Sequence, residues 1–324
     1  MIAKKLLIVS GTHGNELNPV WAVKKFRNLI NTSPQSNSLE FILGNPKALE
    51  KGLRYIDVDL NRSFNVLKTA SNQNFYEVNR SEYLISEYGI QGPKSCPIVI
   101  DLHTTTSCMG TSIVMYGRRQ RDFCLAAILQ AKFGLPIYLH ERDVNQTGFL
   151  VEAWPCGLVI EIGPVAQNHF DSEITERFLI ILSFLGDLIN NLENNRINLP
   201  SEISLFVHQK SIDYPRNDNN DINALIHPLR INNDWKMIEE GDPLFINIDN
   251  ETLTYSGKEK IYPLFIGEAA YREKNIAMSF TKKEILKCDK EWIDSFLSFL
   301  RCFLASSFFC HSSSSFSISL SDFP

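Results

Sequence analysis

The sequence predicts an α/β fold: a mainly parallel, mixed sheet flanked by helices, followed by a smaller β-rich C-terminal domain. Three observations lead there. Apolar strand-like runs alternate with segments of helical periodicity through the first two hundred residues. Near Asn194–Pro200 the texture changes to short apolar runs separated by tight-turn sequences such as "YPRNDNND" and "EEGDP". The chain has 324 residues and is 44% apolar, enough to bury one large core and a smaller one.

The elements follow in order. Leu6–Val9 is a continuous apolar run stopped by Ser10 and Gly11, as in a buried strand, and Asn18-Pro19 opens a helix over Val20–Ile30. Leu39–Leu43 is a strand followed by the turn "GNPKAL", Arg54–Leu60 alternates polar and apolar residues, and 75–90 has helical spacing. Pro97–Leu102 and Gly110–Tyr116 are strands, and Cys124–Phe133 is a helix. Pro136–Leu139 and Leu158–Ile162 are strands, and Ile174–Leu192 is a long amphipathic helix. Beyond it, "EISLFVHQK", "DPLFINI" and "IYPLFIG" are short strands of the second domain. The boundaries fall at 1–197 for the α/β domain, 198–282 for the β-rich domain, and 283–324 for an extra helix and a disordered Ser-rich tail.

Charge and cysteine content exclude several classes. The formal net charge is -5 and no basic block occurs, which speaks against nucleic acid as a partner. Seven scattered cysteines without a CxxC pair fit reduced thiols rather than a disulfide frame. The apolar run at the N-terminus is too short for a signal peptide, so a cytoplasmic location is expected. "WIDSFLSFLRCFLASSFF" is interrupted by Asp294 and Arg301, so no membrane span is expected either. Homo-oligomerisation stays open.

The chemistry-bearing residues begin with "GTHGNE", which places His13 and Glu16 between a strand end and a helix start, where ligands collect in open α/β sheets. Alone, the fragment also fits a Gly-rich turn with a helix-capping Glu. In "PIVIDLHTTTS", Asp101 and His103 project to the same side near a strand end. If this strand neighbours Leu6–Val9, then His13, Glu16 and His103 converge as a zinc set with a fourth position left for water. His140, His169, His208 and His227 read as structural. Glu161, in "GLVIEIGP", is a carboxylate in an apolar strand: a general base with a raised pKa, or half of a structural ion pair with an arginine. In "RYIDVDLNRSF", Arg54, Asn61 and Arg62 suit a carboxylate fork and an oxyanion contact, or form a polar surface loop. Asp57 and Asp59 are loop acids or partners that orient a ligand histidine.

"GTHGNE", "RYIDVDLNRSF", "DLHTTTS", "VIEIGP" and "GEAAYREK", in this order, resemble the aspartoacylase and succinylglutamate desuccinylase family of zinc-carboxypeptidase-like hydrolases. The resemblance covers roughly residues 5–280. It implies one Zn2+ per subunit held by His13, Glu16 and His103, with Glu161 as the base that activates water and later protonates the leaving amine. It further implies that Arg54 supports the carbonyl oxygen, that Asn61 and Arg62 hold the α-carboxylate, and that Tyr271 closes the pocket from the smaller domain. The implied reaction is hydrolysis of an N-acyl-L-amino acid, foremost N-acetyl-L-aspartate to acetate and L-aspartate. N-succinylglutamate, an N-acetylated aromatic amino acid, or a non-catalytic zinc-binding role are the alternatives. One departure bears on this choice. Animal aspartoacylases carry an Arg that helps bind the side-chain carboxylate shortly before the strand with the catalytic Glu, and 145–157 here contains none. Arg142 is close in sequence but does not align with that role.

Overall fold

The computed structural model describes residues 6–30, 38–67, 69–141, 143, 146–194 and 196–309. The Ser-rich tail and Arg142 lie outside these residues. The first half contains β1 (Leu6–Ser10), α1 (Leu17–Ile30), β2 (Leu39–Leu43), α2 (Pro46–Lys51), α3 (Tyr76–Tyr88), β3 (Ile98–Thr104), β4 (Thr111–Tyr116), α4 (Gln120–Phe133), β5 (Ile137–His140) and β6 (Cys156–Ile162). Then come α5 (Ser172–Glu193), β7 (Glu202–Ile212), β8 (Ala224–Ile226), β9 (Pro243–Asn247), β10 (Thr252–Thr254), β11 (Tyr262–Leu264), β12 (Met278–Lys287) and α6 (Glu291–Phe309).

Nine strands form one sheet in the order β11-β12-β7-β5-β4-β6-β3-β1-β2. Its pairs are parallel except β4 with β6, β7 with β12 and β11 with β12. The strands β1 and β6 are buried along their whole length, which explains the apolar runs Leu6–Val9 and Leu158–Ile160: both faces are covered. Alternation then sorts the side chains. Leu6, Ile8, Ile100, Leu158 and Ile160 pack under α1, α4, α5 and α6, whereas Leu7, Val9, Val99 and Val159 face the opposite layer with Leu84 of α3 and Trp154. Asp101, His103 and Glu161 share the parity of Val99 and Val159, so they belong to this second face. That parity places the site.

β8, β9 and β10 form a separate antiparallel sheet over their own small core. The later strands β7, β11 and β12 instead extend the large sheet, with β5 and β7 paired in parallel. Among the described residues no helix is long and apolar enough to cross a membrane, α6 included. The alternation in Arg54–Leu60 yields no strand. Here the buried carboxylate of Glu77, in the first turn of α3, accepts hydrogen bonds from the backbone N–H of Ile56 (2.7 Å), Asp57 (3.0 Å) and Val58 (3.3 Å). One side chain satisfies donors that a neighbouring strand would otherwise pair.

Candidate active site

β1 and β3 are neighbours, with Val9 opposite Asp101, and β3 is followed in the sheet by β6, with His103 opposite Glu161. The condition for convergence is therefore met. The turn after β1 is shaped by Gly14, where a Cβ would lie 2.0 Å from the backbone carbon of Ala48, so only glycine fits. Its N–H donates to the Arg54 carbonyl at 3.2 Å, tying the His13 turn to the arginine loop.

His13, Glu16 and His103 are all buried and offer ligand atoms within 4.8 Å of one another. His13 Nδ1 lies 2.7 Å from Glu16 Oε1, and His103 Nδ1 lies 3.0 Å from Glu16 Oε2. On their outer sides, His13 Nε2 meets Asp59 Oδ1 at 3.0 Å and His103 Nε2 meets Asp101 Oδ2 at 2.7 Å. Each imidazole thus turns one nitrogen to the shared glutamate and the other to a buried carboxylate, the arrangement that orients metal-ligating histidines. This donor set fits a divalent metal. Burial works against the charged forms, but Asp101 and Glu16 hold His103 well above the ordinary imidazole pKa, and His13 and His103 bring Glu16 well below the carboxylate range. Three carboxylates around two imidazoles make a site that favours a cation.

Arg54 contacts Asp59 Oδ2 at 3.2 Å and Glu16 Oε1 at 3.6 Å, while its buried Nε has no protein partner. Arg62 stacks on Phe149, its guanidinium carbon 3.9 Å from the ring centre, and donates to Gln146 Oε1 at 3.1 Å. The buried Nε of Arg62 likewise has no protein partner. Asn61 Oδ1 accepts from the Leu150 N–H at 2.8 Å, which leaves its amide Nδ2 as the donor. Burial raises the pKa of Glu161 well above the ordinary value; Glu16 and Glu268 add to this, against the attraction of His103 and Arg54. Tyr271 lies on a 3-10 turn, packed on Phe265 with ring centres 5.3 Å apart.

The eight residues given a ligand, catalytic or substrate role in the sequence all line one cavity of about 560 Å³, counting its open mouth. Of the two loop acids, Asp59 backs His13, whereas Asp57 accepts from the Tyr76 N–H at 2.7 Å at the start of α3. The cavity also draws on residues the sequence did not single out. Tyr116 stacks on Phe149 with ring centres 3.8 Å apart, and His140, Tyr138 and Gln146 complete that wall. Glu268 anchors the Tyr271 turn to the loop after β3. Its Oε2 accepts from the Thr106 N–H at 2.8 Å and from the Thr105 hydroxyl, and its Oε1 from the Ala270 N–H at 3.0 Å. Glu268 stood in a quoted motif, but nothing local marked its partners.

Comparison with known proteins agrees with this architecture. Residues 2–188 match the succinylglutamate desuccinylase/aspartoacylase catalytic domain, and residues 201–283 match the AstE/AspA barrel-sandwich hybrid domain. The chain is 60% identical over 300 residues to a probable aspartoacylase of Prochlorococcus marinus (strain AS9601), covering 92% of this chain and 100% of that protein. A probable aspartoacylase of strain NATL2A is 43% identical over 298 residues, with 89% and 95% covered. Among solved structures, murine aminoacylase 3 superposes with a TM-score of 0.78 at 27% identity, over 89% of this chain and 98% of that one. A succinylglutamate desuccinylase from Chromobacterium violaceum shares the fold, with a TM-score of 0.56 at 19% identity over 89% and 86%. The chain belongs to the succinylglutamate desuccinylase/aspartoacylase family.

Proposed function

We propose that this chain is a zinc-dependent amidohydrolase that cleaves N-acyl-L-amino acids, foremost N-acetyl-L-aspartate, to a carboxylate and a free amino acid. One observation carries the reading: the His13–Glu16–His103 set, each imidazole backed by its own carboxylate, shares a cavity with Glu161 and two arginines that have unpaired buried Nε donors. Zinc held by His13, Glu16 and His103 supplies the Lewis acidity that acidifies water and polarises an acyl carbonyl.

The chain's own residues do the rest. Glu161, raised in pKa by burial, accepts a proton from the attacking water and returns it to the departing amine nitrogen. Arg54 donates to the carbonyl oxygen as negative charge develops there. Arg62 and the Asn61 amide hold the α-carboxylate, with Phe149 and Gln146 fixing the guanidinium. Residues 198–282 cap the site, and Tyr271, clamped through Glu268, narrows it against longer peptides.

A second substrate reading rests on the far wall, where Tyr116, Tyr138, Phe149 and Phe265 line the cavity. Among the described residues that line the cavity, the only arginine or lysine side chains are Arg54 and Arg62, and both already have roles. That wall suits an aromatic side chain. Initial rates with N-acetyl-Asp, N-acetyl-Glu, N-succinyl-Glu and N-acetyl-Tyr, with zinc-loaded protein and its Glu161→Gln variant, test both readings. Turnover of N-acetyl-Asp above the others supports the first and turnover of N-acetyl-Tyr the second. Full activity in Glu161→Gln would refute the mechanism.

A further inference from the structure

A second histidine cluster that the hydrolytic chemistry does not use adjoins the cavity through His140, one of its lining residues. β5 and β7 run in parallel with Leu139 opposite Val207, so the next residues, His140 and His208, come side by side at the same sheet end and on the same face as the catalytic cluster. Their ring centres are 4.9 Å apart. Asp143 Oδ2 lies 3.9 Å from His140 Nε2 and 4.0 Å from His208 Nε2. The three ligand atoms fall within 4.8 Å of one another.

We infer that His140, Asp143 and His208 bind a divalent transition-metal cation in the wall of the catalytic cavity, and that its charge serves an acidic substrate side chain. The second half rests on the hydrolase reading; the first does not.

Four observations support the site. His140 is 7% exposed, and its Nε2 is buried without a hydrogen-bond partner. An orphaned buried imidazole nitrogen is costly unless something binds it. His208 Nδ1 is engaged by the Tyr138 hydroxyl at 2.9 Å, which directs the opposite nitrogen to the cluster. Gln146 Nε2 donates to Asp143 Oδ2 at 3.0 Å and so supports the carboxylate. His208 is buried as well, at 6% exposure, so both rings meet Asp143 away from bulk water.

The spacing suits an ion. Donors about 2.1 Å from a metal lie at most about 4.2 Å apart. Tetrahedral donors at that distance lie about 3.4 Å apart, so the spacings of 3.9 and 4.0 Å to Asp143 close by about half an ångström on an ion. Two imidazoles and a carboxylate select zinc, cobalt or a similar cation over magnesium or calcium. Arg62 and Lys274 are near enough to act on His140, and they oppose a cation; the Asp143 charge opposes them in turn. The inference also addresses a gap in the substrate reading. With Arg54 and Arg62 committed elsewhere, a metal beside His140 supplies the positive charge that 145–157 lacks.

Metal counting decides the first half. Chelated full-length protein is titrated with Co2+ under equilibrium dialysis, and bound metal is measured by mass spectrometry. Wild type should take up two equivalents per chain, and His208→Gln and Asp143→Asn one each, with unchanged circular dichroism. His103→Ala should also retain one, now at the second site. A single equivalent in wild type, as expected if only a water bridges the cluster, would overturn the site, and so would two in His208→Gln. For the second half, His208→Gln should raise KM for N-acetyl-Asp about tenfold and leave KM for N-acetyl-Met within about twofold. If KM for N-acetyl-Asp does not move, the charge role is overturned although the metal site stands. If wild type hydrolyses no N-acyl amino acid, the hydrolase reading fails while the metal count still settles the site.

Discussion

Two histidine pairs sit at the same end of one sheet, and their surroundings make them opposites. The β1–β3 pair, His13 and His103, is enclosed by Glu16, Asp59 and Asp101, whereas the β5–β7 pair, His140 and His208, has Asp143 and the Tyr138 hydroxyl. The first cluster closes on itself at 2.7 to 3.0 Å; the second stands open at 3.9 to 4.0 Å. Carboxylates lift His103 well above the ordinary imidazole pKa against its burial, while burial and a neighbouring imidazole push His140 down to about 3. The number of carboxylates, not the number of histidines, sets the pull on a cation. The first site should therefore hold metal more tightly.

The largest expected effect tests whether the first cluster is a working centre. Exhaustive chelation should abolish hydrolysis while circular dichroism changes little, because His103 stands on a buried strand and His13 and Glu16 in a buried turn of an already packed sheet. Gross unfolding of the apo-protein would contradict this. Next, Glu161→Gln should lower kcat by roughly 10²–10⁴ while keeping both metals, which separates using the metal from holding it. Single-turnover rates alongside metal counts check it.

Smaller effects sharpen the contrast between the clusters. Asp101→Asn should weaken metal binding at the first site by about 10–100-fold, since it removes the carboxylate behind His103. Competition with a chromophoric chelator measures this. Arg62→Ala should raise KM for the N-acyl amino acid by at least about tenfold with a lesser change in kcat, as loss of ground-state carboxylate binding requires. Tyr138→Phe should weaken the second site by only a few-fold, since a neutral hydroxyl orients His208 less strongly than a carboxylate. If Tyr138→Phe weakened its site as much as Asp101→Asn weakens the first, the electrostatic account of the difference would fail.

Much of the fold was legible because its signals are local. The apolar runs that open β1 and β3 and fill most of β6 announce strands covered on both faces. Pro19 lies within the first turn of α1, which begins at Leu17, three residues before the apolar spacing suggested, because a proline is tolerated there. The reversal of β4 against β6 was not legible, and neither was the way β7 and β12 join the large sheet, since strand direction and partner leave no mark on an alternating pattern. In the sequence Glu77 is one position of the helical segment 75–90 and nothing more. Its carboxylate binds backbone N–H groups about twenty positions away and the Asn45 amide, so the donors of Ile56–Val58 are satisfied without a neighbouring strand.

What the sequence by itself determined is the chemistry and its local frame: which residues can ligate, donate or move a proton, and which strand ends or turns carry them. Residue type and periodicity are properties of neighbouring positions, so they can be read without coordinates. Only the tertiary structure decided which of these groups meet. His13 and His103 meet because β1 lies beside β3, and His140 and His208, which looked like ordinary core histidines, meet because β5 lies beside β7. Strand pairing joins residues that are remote in the chain through backbone hydrogen bonds every residue type can make, so the pairing is invisible in the side chains it brings together.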